Sequence, residues 1–272
     1  MALAGDEAAT RVLGEMLADS GPIGKLYMEG DTVAAWDALL ALGSAVREPA
    51  HLSEAWGVAW ETMRRVRYNL EILIQRLAAI GYQGACLGAP CPVQDIDEVE
   101  RRVGGPAPLS IRAFWEVVGT VDFCQAPEQI MHDWLDVPTS DMECLGDDDP
   151  LMIRSPSVLL KHPNREIEPW PTGHQCFEFG DERHWKSRVS GGAFGQCIWL
   201  PDASADFRIC GDMCPPDERG DDELDGQYFV RMLRQTMLGG GFRGPIDRDQ
   251  DQIVWLPLRA LELQLASGLL PI

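Results

Sequence analysis

The sequence predicts an α+β protein in which a helical N-terminal segment precedes a part that mixes short strands with helices. Three observations predict it. The stretch from Ser53 to about Ile80 carries Ala59, Met63, Val66, Leu70, Leu73, Leu77 and Ile80. Their steps of four and three lay one apolar stripe along one helical face. Farther on, 175–179, 196–200 and 206–210 alternate in β fashion between Gly, Pro and Asp turns. Short amphipathic helical patterns flank these strands on both sides.

Taken in order, residues 6–19 read as a short Ala/Leu-rich helix. Asp31 is placed to cap a second helix carrying Val33, Trp36, Leu39, Leu40 and Val46, which Pro49 ends. The long helix opens at Ser53, presents Glu61, Arg64, Arg65, Glu71 and Gln75 opposite its stripe, and stops at Gly81. Its stripe suits either the protein's own core or a partner coiled coil, and the core is the commoner use. Residues 84–92 (GACLGAPCP) are the best boundary. They divide a helical segment at 1–83 from an α+β domain at 93–272. A helix with Ile96, Val99 and Val103 on one face follows, then a helix over 110–118 presenting Ile111, Phe114, Trp115 and Val118. Gly119 hands over to a strand at 121–123. Residues 124–168 are loop-rich, 212–225 form an acidic loop, and 228–238 form a helix ended by Gly239, Gly240 and Gly241. The tail at 253–265 is expected to pack on the core as helix or strand.

Composition narrows the function classes. The chain has 272 residues, 45% apolar and 24% charged, ordinary for a globular protein able to bury a core without staples. Its formal net charge of −20 is not ordinary. Residues up to 90 contribute 11 acidic and 7 basic side chains; the rest contribute 32 and 16. Such a charge disfavours nucleic acid and anionic membrane as partners and favours basic proteins, or serves solubility alone. Asp6 and Glu7 interrupt the apolar start, so no secretory signal is read there, and no apolar run approaches a membrane span. The expected location is the cytoplasm. The eight cysteines then read as reduced thiols.

Motifs for catalysis are scarce. Cys210-x-x-x-Cys214 lies near Cys197, Cys176 and His174, but the second closely spaced pair of a structural zinc site is missing. His51, His132, His162, His174 and His184 carry no family-type signature beside a cysteine. No G-x-S-x-G elbow, P-loop, G-x-G-x-x-G or EF-hand loop occurs. Ser190-Gly191-Gly192 reads as a tight turn. Of nine tryptophans, Trp36, Trp60 and Trp115 fall on apolar helix faces and read as core, whereas Trp134, Trp170, Trp185 and Trp255 fall in loop or strand-end contexts. No cofactor and no metal are expected.

The run IDEVERRVGGPAPLSIRAFWEVVGTVDF, from Ile96 to Phe123, resembles the opening of SUKH domains through Ile96, Val99, Glu100, Pro108, Phe114, Trp115 and Gly119. Gly119-Thr120 stands where that family usually has Asn-Gly. The stretches at 184–209 and 226–242 are similar to a set of uncharacterised bacterial proteins sharing K-x-x-x-SGG, L-P-D before a strand, and F-V-x-x-L-R before G-G-F. The resemblance implies a mixed or antiparallel sheet with flanking helices. The superfamily includes fungal cell-wall assembly regulators and bacterial immunity proteins, so the resemblance implies neutralisation of a toxin by direct binding, without catalysis.

The expected partner surface is acidic: Asp147, Asp148 and Asp149 in one loop, and Asp217, Glu218, Asp221, Asp222, Glu223 and Asp225 in another. Contiguous acids suit a solvated loop first and a basic-protein surface second, and either better than a calcium ion, whose loops space their ligands. Two other readings stand beside this one. The first is a hydrolase or metal-dependent enzyme using the acidic or Cys/His groups. The second is a scaffold that assembles through the long helix.

Overall fold

The computed structural model describes residues 21–82, 85–123, 151–157, 175–180, 196–209, 228–241, 261 and 263–272, with the main chain alone at 175, 176 and 178. Helices α1 (Pro22–Met28) and α2 (Thr32–Ala41) are followed by a 3-10 turn, Gly43–Arg47. The central helix α3 spans Pro49–Ala79. Strand β1 (Cys86–Leu87), helices α4 (Val93–Val103) and α5 (Leu109–Val117), and strands β2 (Val121–Asp122) and β3 (Met152–Ile153) come next. Strands β4 (Gln175–Glu178) and β5 (Cys197–Leu200) and helix α6 (Phe229–Leu238) complete the named elements. The architecture is α+β, with a helical N-terminal region.

Local chemistry accounts for most boundaries. Asp31 caps α2 by accepting from Ala34 N at 3.1 Å, as its position predicts. Pro49 does not end a helix; it opens α3, four residues ahead of Ser53. Proline lacks an N–H, but the first turn leaves its N–H groups unpaired in any case, and the ring holds φ at a helical value. On α2 the inward face is Ala35, Trp36 and Leu39, while Val33 points to solvent. Gly104 closes α4 in a left-handed conformation, which Arg101 and Arg102 in the last turn complement electrostatically.

The strands are short and antiparallel. β2 lies between β1 and β3, with Leu87 opposite Val121 and Val121 opposite Ile153. β4 and β5 pair separately, Phe177 opposite Ile198. The third strand expected near 206–210 is reduced to a single bridge between Arg208 and Tyr228. Of the tail expected at 253–265, only 261 and 263–265 are described; 263–266 are helical.

One hydrophobic core runs through all of these elements, from Tyr27 to Ile272. The α3 stripe lies inside it: Ala59, Met63, Val66, Leu70, Leu73 and Leu77 are all buried, and α3 packs most extensively on α5. The stripe therefore belongs to the protein's own core. Phe229 is the aromatic hub, 5.6 Å from Phe114 and 5.8 Å from Phe179 edge-on, and stacked on Phe207 at 5.1 Å. Trp36 and Trp115 are buried as expected, whereas Trp60 is only partly covered. Among the described residues no helix is long and apolar enough to cross a membrane.

Candidate functional site

The acidic residues expected to meet a partner, Asp147–Asp149 and the set from Asp217 to Asp225, lie outside the described residues, as do Cys210, Cys214 and the side chain of Cys176. What the structure does place is the scaffold from which those segments emerge. β3 follows the first acidic segment directly. The second lies between the strand-like residues 206–209 and α6.

That second junction is built on a buried carboxylate. Asp206 is 3% exposed, and its Oδ1 accepts from Ser110 Oγ of α5 at 2.6 Å. Its Oδ2 accepts from Val230 N in the first turn of α6 at 3.0 Å. Tyr228, at the cap position of α6, offers no capping side chain. Asp206 thus caps α6 from another part of the chain, where the helix dipole favours negative charge. Burial nevertheless dominates and pushes its pKa from 3.8 up to about 7, against the bonds from Ser110, Val230 and Phe207 that lower it. Nearby Asp202 adds to the rise. The node ties α5, the 201–209 segment and α6 together.

Among the described residues several arginines are turned inward, whereas Lys25, Arg101, Arg102, Arg208 and Arg231 are exposed. Arg67 donates to the Val117 and Val118 carbonyls at 3.2 and 3.1 Å, satisfying the C-terminal end of α5. Arg47 bonds the Ala203 and Ala107 carbonyls, and Arg112 joins Asp97, Glu100 and Glu116. Glu61, read from sequence as part of an outer face, is buried and holds both Arg64 and Arg65, at 2.7 and 2.9 Å. Glu54 of α3 caps α1 through Ile23 N and Gly24 N, at 2.7 and 2.8 Å. The polar face of α3 is therefore a set of clamps on neighbouring elements. Helical spacing finds the stripe and the pairs of Glu61 with Arg64 and Arg65, but gives no local sign of the bonds made by Glu54, Arg47 and Arg67, whose partners lie 30 or more residues away.

Two of the described cysteines, Cys86 and Cys91, have thiols raised above their ordinary value. Burial, with Asp95 beside it, pushes the Cys91 thiol up to about 11. Cys86 is raised by burial and by Asp122. Both stay protonated at neutral pH, which suppresses nucleophilic and metal-binding chemistry. Among the described residues no three His, Cys, Asp or Glu side chains converge to hold a metal ion.

Comparison of the chain with protein-family models, with curated proteins and with solved structures finds no match in any of the three.

Proposed function

We propose that this chain is a non-catalytic, SUKH-like binding module, an immunity or antitoxin-type protein that neutralises a basic toxin by direct contact in the cytoplasm. The observation that carries the reading is the charge: −20 overall, with 32 acidic and 16 basic side chains beyond residue 90. The placement of the arginines supports it. Arg47, Arg67, Arg76 and Arg234 donate to main-chain carbonyls, and Arg64, Arg65 and Arg112 to carboxylates of their own or adjoining helices. A field of one sign speeds the encounter with a partner of the other. The Asp206 node fixes the residues just ahead of the second acidic segment to α5 and α6.

The test is affinity capture from the native host at low salt, with the full chain as bait beside a variant carrying Asn at positions 147, 148, 149, 217, 221, 222 and 225. A basic protein retained by the chain, released by added salt and lost with the variant supports the reading. Absence of any basic protein on the unmodified chain overturns it.

A further inference from the structure

Helix α3 turns a row of polar side chains toward the segment 265–272. Arg65, Asn69 and Arg76 stand four and seven residues apart, a spacing that puts them on one helical face. Among the described residues, each hydrogen bond from this row to the segment ends on main chain. Arg65 Nη1 donates to the Pro271 carbonyl at 3.0 Å. Asn69 pairs with Leu270 in both directions, Nδ2 donating to the carbonyl at 2.9 Å and Leu270 N to Oδ1 at 2.8 Å. Arg76 Nη1 donates to the Leu265 carbonyl and, at 2.7 Å, to that of Ser267. Arg65 is held from behind: its Nε donates to Glu61 at 2.9 Å, and its guanidinium lies over the Tyr27 ring.

The segment has a shape of its own. Residues 263–266 are helical, the Leu269 N–H donates to the Ala266 carbonyl at 3.3 Å, and Gly268 turns the chain with φ 73°. Arg76 thereby satisfies carbonyls at a helix end. Two side chains anchor the segment, Leu265 at 4% exposure and Ile272 at 2%. Leu265 rests on Gly240, where an added Cβ would lie 2.8 Å from the leucine Cβ. Ser267, Gly268 and Pro271 face solvent. Two apolar anchors and a few hydrogen bonds near the surface make a unit of low local stability, whereas the α3 stripe beneath is fixed by the whole core.

We propose that the Arg65, Asn69 and Arg76 face of α3 is a peptide-binding groove, and that 265–272 is a detachable strap occupying it in cis. The ligand class is a peptide with an aliphatic residue, a glycine three positions on and a second aliphatic residue four further on, the pattern of Leu265, Gly268 and Ile272. The groove leaves the intervening side chains free, because it reads N–H and C=O groups that the internal residues of any peptide carry. The strap sets a threshold. A competing peptide binds only to chains whose strap is released, which lowers its apparent affinity by that fraction. The inference does not rest on the basic-toxin reading, since this groove selects by main chain and apolar anchors instead of charge.

The experiment uses the full chain and a synthetic peptide with the sequence of residues 263–272, blocked at both ends so that no terminal charge contributes. Hydrogen exchange at the Leu270 amide, which is bonded to Asn69, reads the strap; the Leu73 amide, inside α3, reads the core. Leu270 is expected to exchange at least about a hundredfold faster than Leu73, through local opening. Saturating peptide is expected to speed Leu270 by a further factor of about ten while Leu73 is unchanged. A peptide carrying Gly268→Val is expected to have no effect, because a β-branched residue resists positive φ. Asn69→Ala in the chain is expected to weaken peptide binding about tenfold; should that variant fold poorly, the Gly268→Val peptide serves as the specificity test. Equal exchange at Leu270 and Leu73 overturns the proposal, since the strap then leaves only when the protein unfolds. Absence of saturable binding at millimolar peptide overturns it too, as does equal binding by the Gly268→Val peptide. A chain that doubles its solution mass by exchanging straps, with no peptide bound, assigns the groove to a second copy and overturns the peptide reading.

Discussion

Asp206 offers the most informative perturbation. Its carboxyl is buried, accepts from Ser110 Oγ and Val230 N, and titrates near 7 instead of at its ordinary 3.8. Because its folded-state pKa is raised, the folded state binds this proton more tightly than the unfolded state does. The stabilisation linked to the proton is fully present below about pH 4 and is lost as pH rises through about 7. A rise of this size corresponds to roughly 4 kcal/mol at alkaline pH, as an order of magnitude. Asparagine mimics the protonated acid: its oxygen can accept from Val230 N while its amide donates to Ser110 Oγ. Asp206→Asn is therefore expected to match the unmodified chain near pH 4 and to be the more stable of the two at pH 8. Asp206→Ala is a different case. It leaves the Val230 N–H unpaired, removes the cap of α6 and deprives the Ser110 hydroxyl of its acceptor, at a cost of about 3 kcal/mol at pH 4. The assay is urea denaturation of the three proteins from pH 4 to pH 8, read as the difference in unfolding free energy between the unmodified chain and Asp206→Asn. A difference that stays flat across that range would refute the argument, and so would an asparagine variant less stable than the parent at pH 8.

The remaining predictions concern the core, a turn, a cap and the loops. Leu70→Asp together with Leu73→Asp is expected to unfold the protein, seen by loss of the cooperative thermal transition, because both side chains are fully buried; a folded variant with a smaller solution mass would return the stripe to a role in assembly. Gly119→Ala is expected to cost more than about 3 kcal/mol in chemical denaturation, since Gly119 has φ 88° and an added Cβ would lie 2.0 Å from the Ala89 carbonyl oxygen. Glu54→Ala is expected to cost about 1–3 kcal/mol, because it strips the acceptor from Ile23 N and Gly24 N, and faster amide exchange at those two positions checks it. Changing Asp217, Asp221, Asp222 and Asp225 to Asn is expected to leave the melting temperature nearly unchanged while slowing association with a basic partner and flattening its salt dependence, which stopped-flow kinetics at several ionic strengths would show.

The sequence alone determined the periodic features. The α3 stripe, the Asp31 cap, the faces of α4 and α5, and α6 with its glycine stop all follow from spacing and from the short-range chemistry of caps and turns. Each depends on residues within a turn or two of one another. The α+β class follows in the same way from alternation in 175–179 and 196–200. Only the tertiary structure decided how the two parts combine. The Gly/Pro-rich run at 84–92 reads as a boundary, yet β1 inside it pairs with β2, and α3 packs on α5 across it. Pro49 reads from sequence as the end of the preceding helix, yet the structure makes it the start of α3. The sites were the least legible. Asp206 looks like a strand residue and Ser110 a helix residue, 96 positions apart, and only folding brings the hydroxyl to the carboxylate. Arg65, Asn69 and Arg76 look like an ordinary polar face, yet they hold a segment about two hundred residues farther along. Hydrophobic burial is a property of one side chain repeated at a period, and a period can be read along a chain. A clamp is a property of two distant groups, and nothing near either one records the distance that folding closes between them.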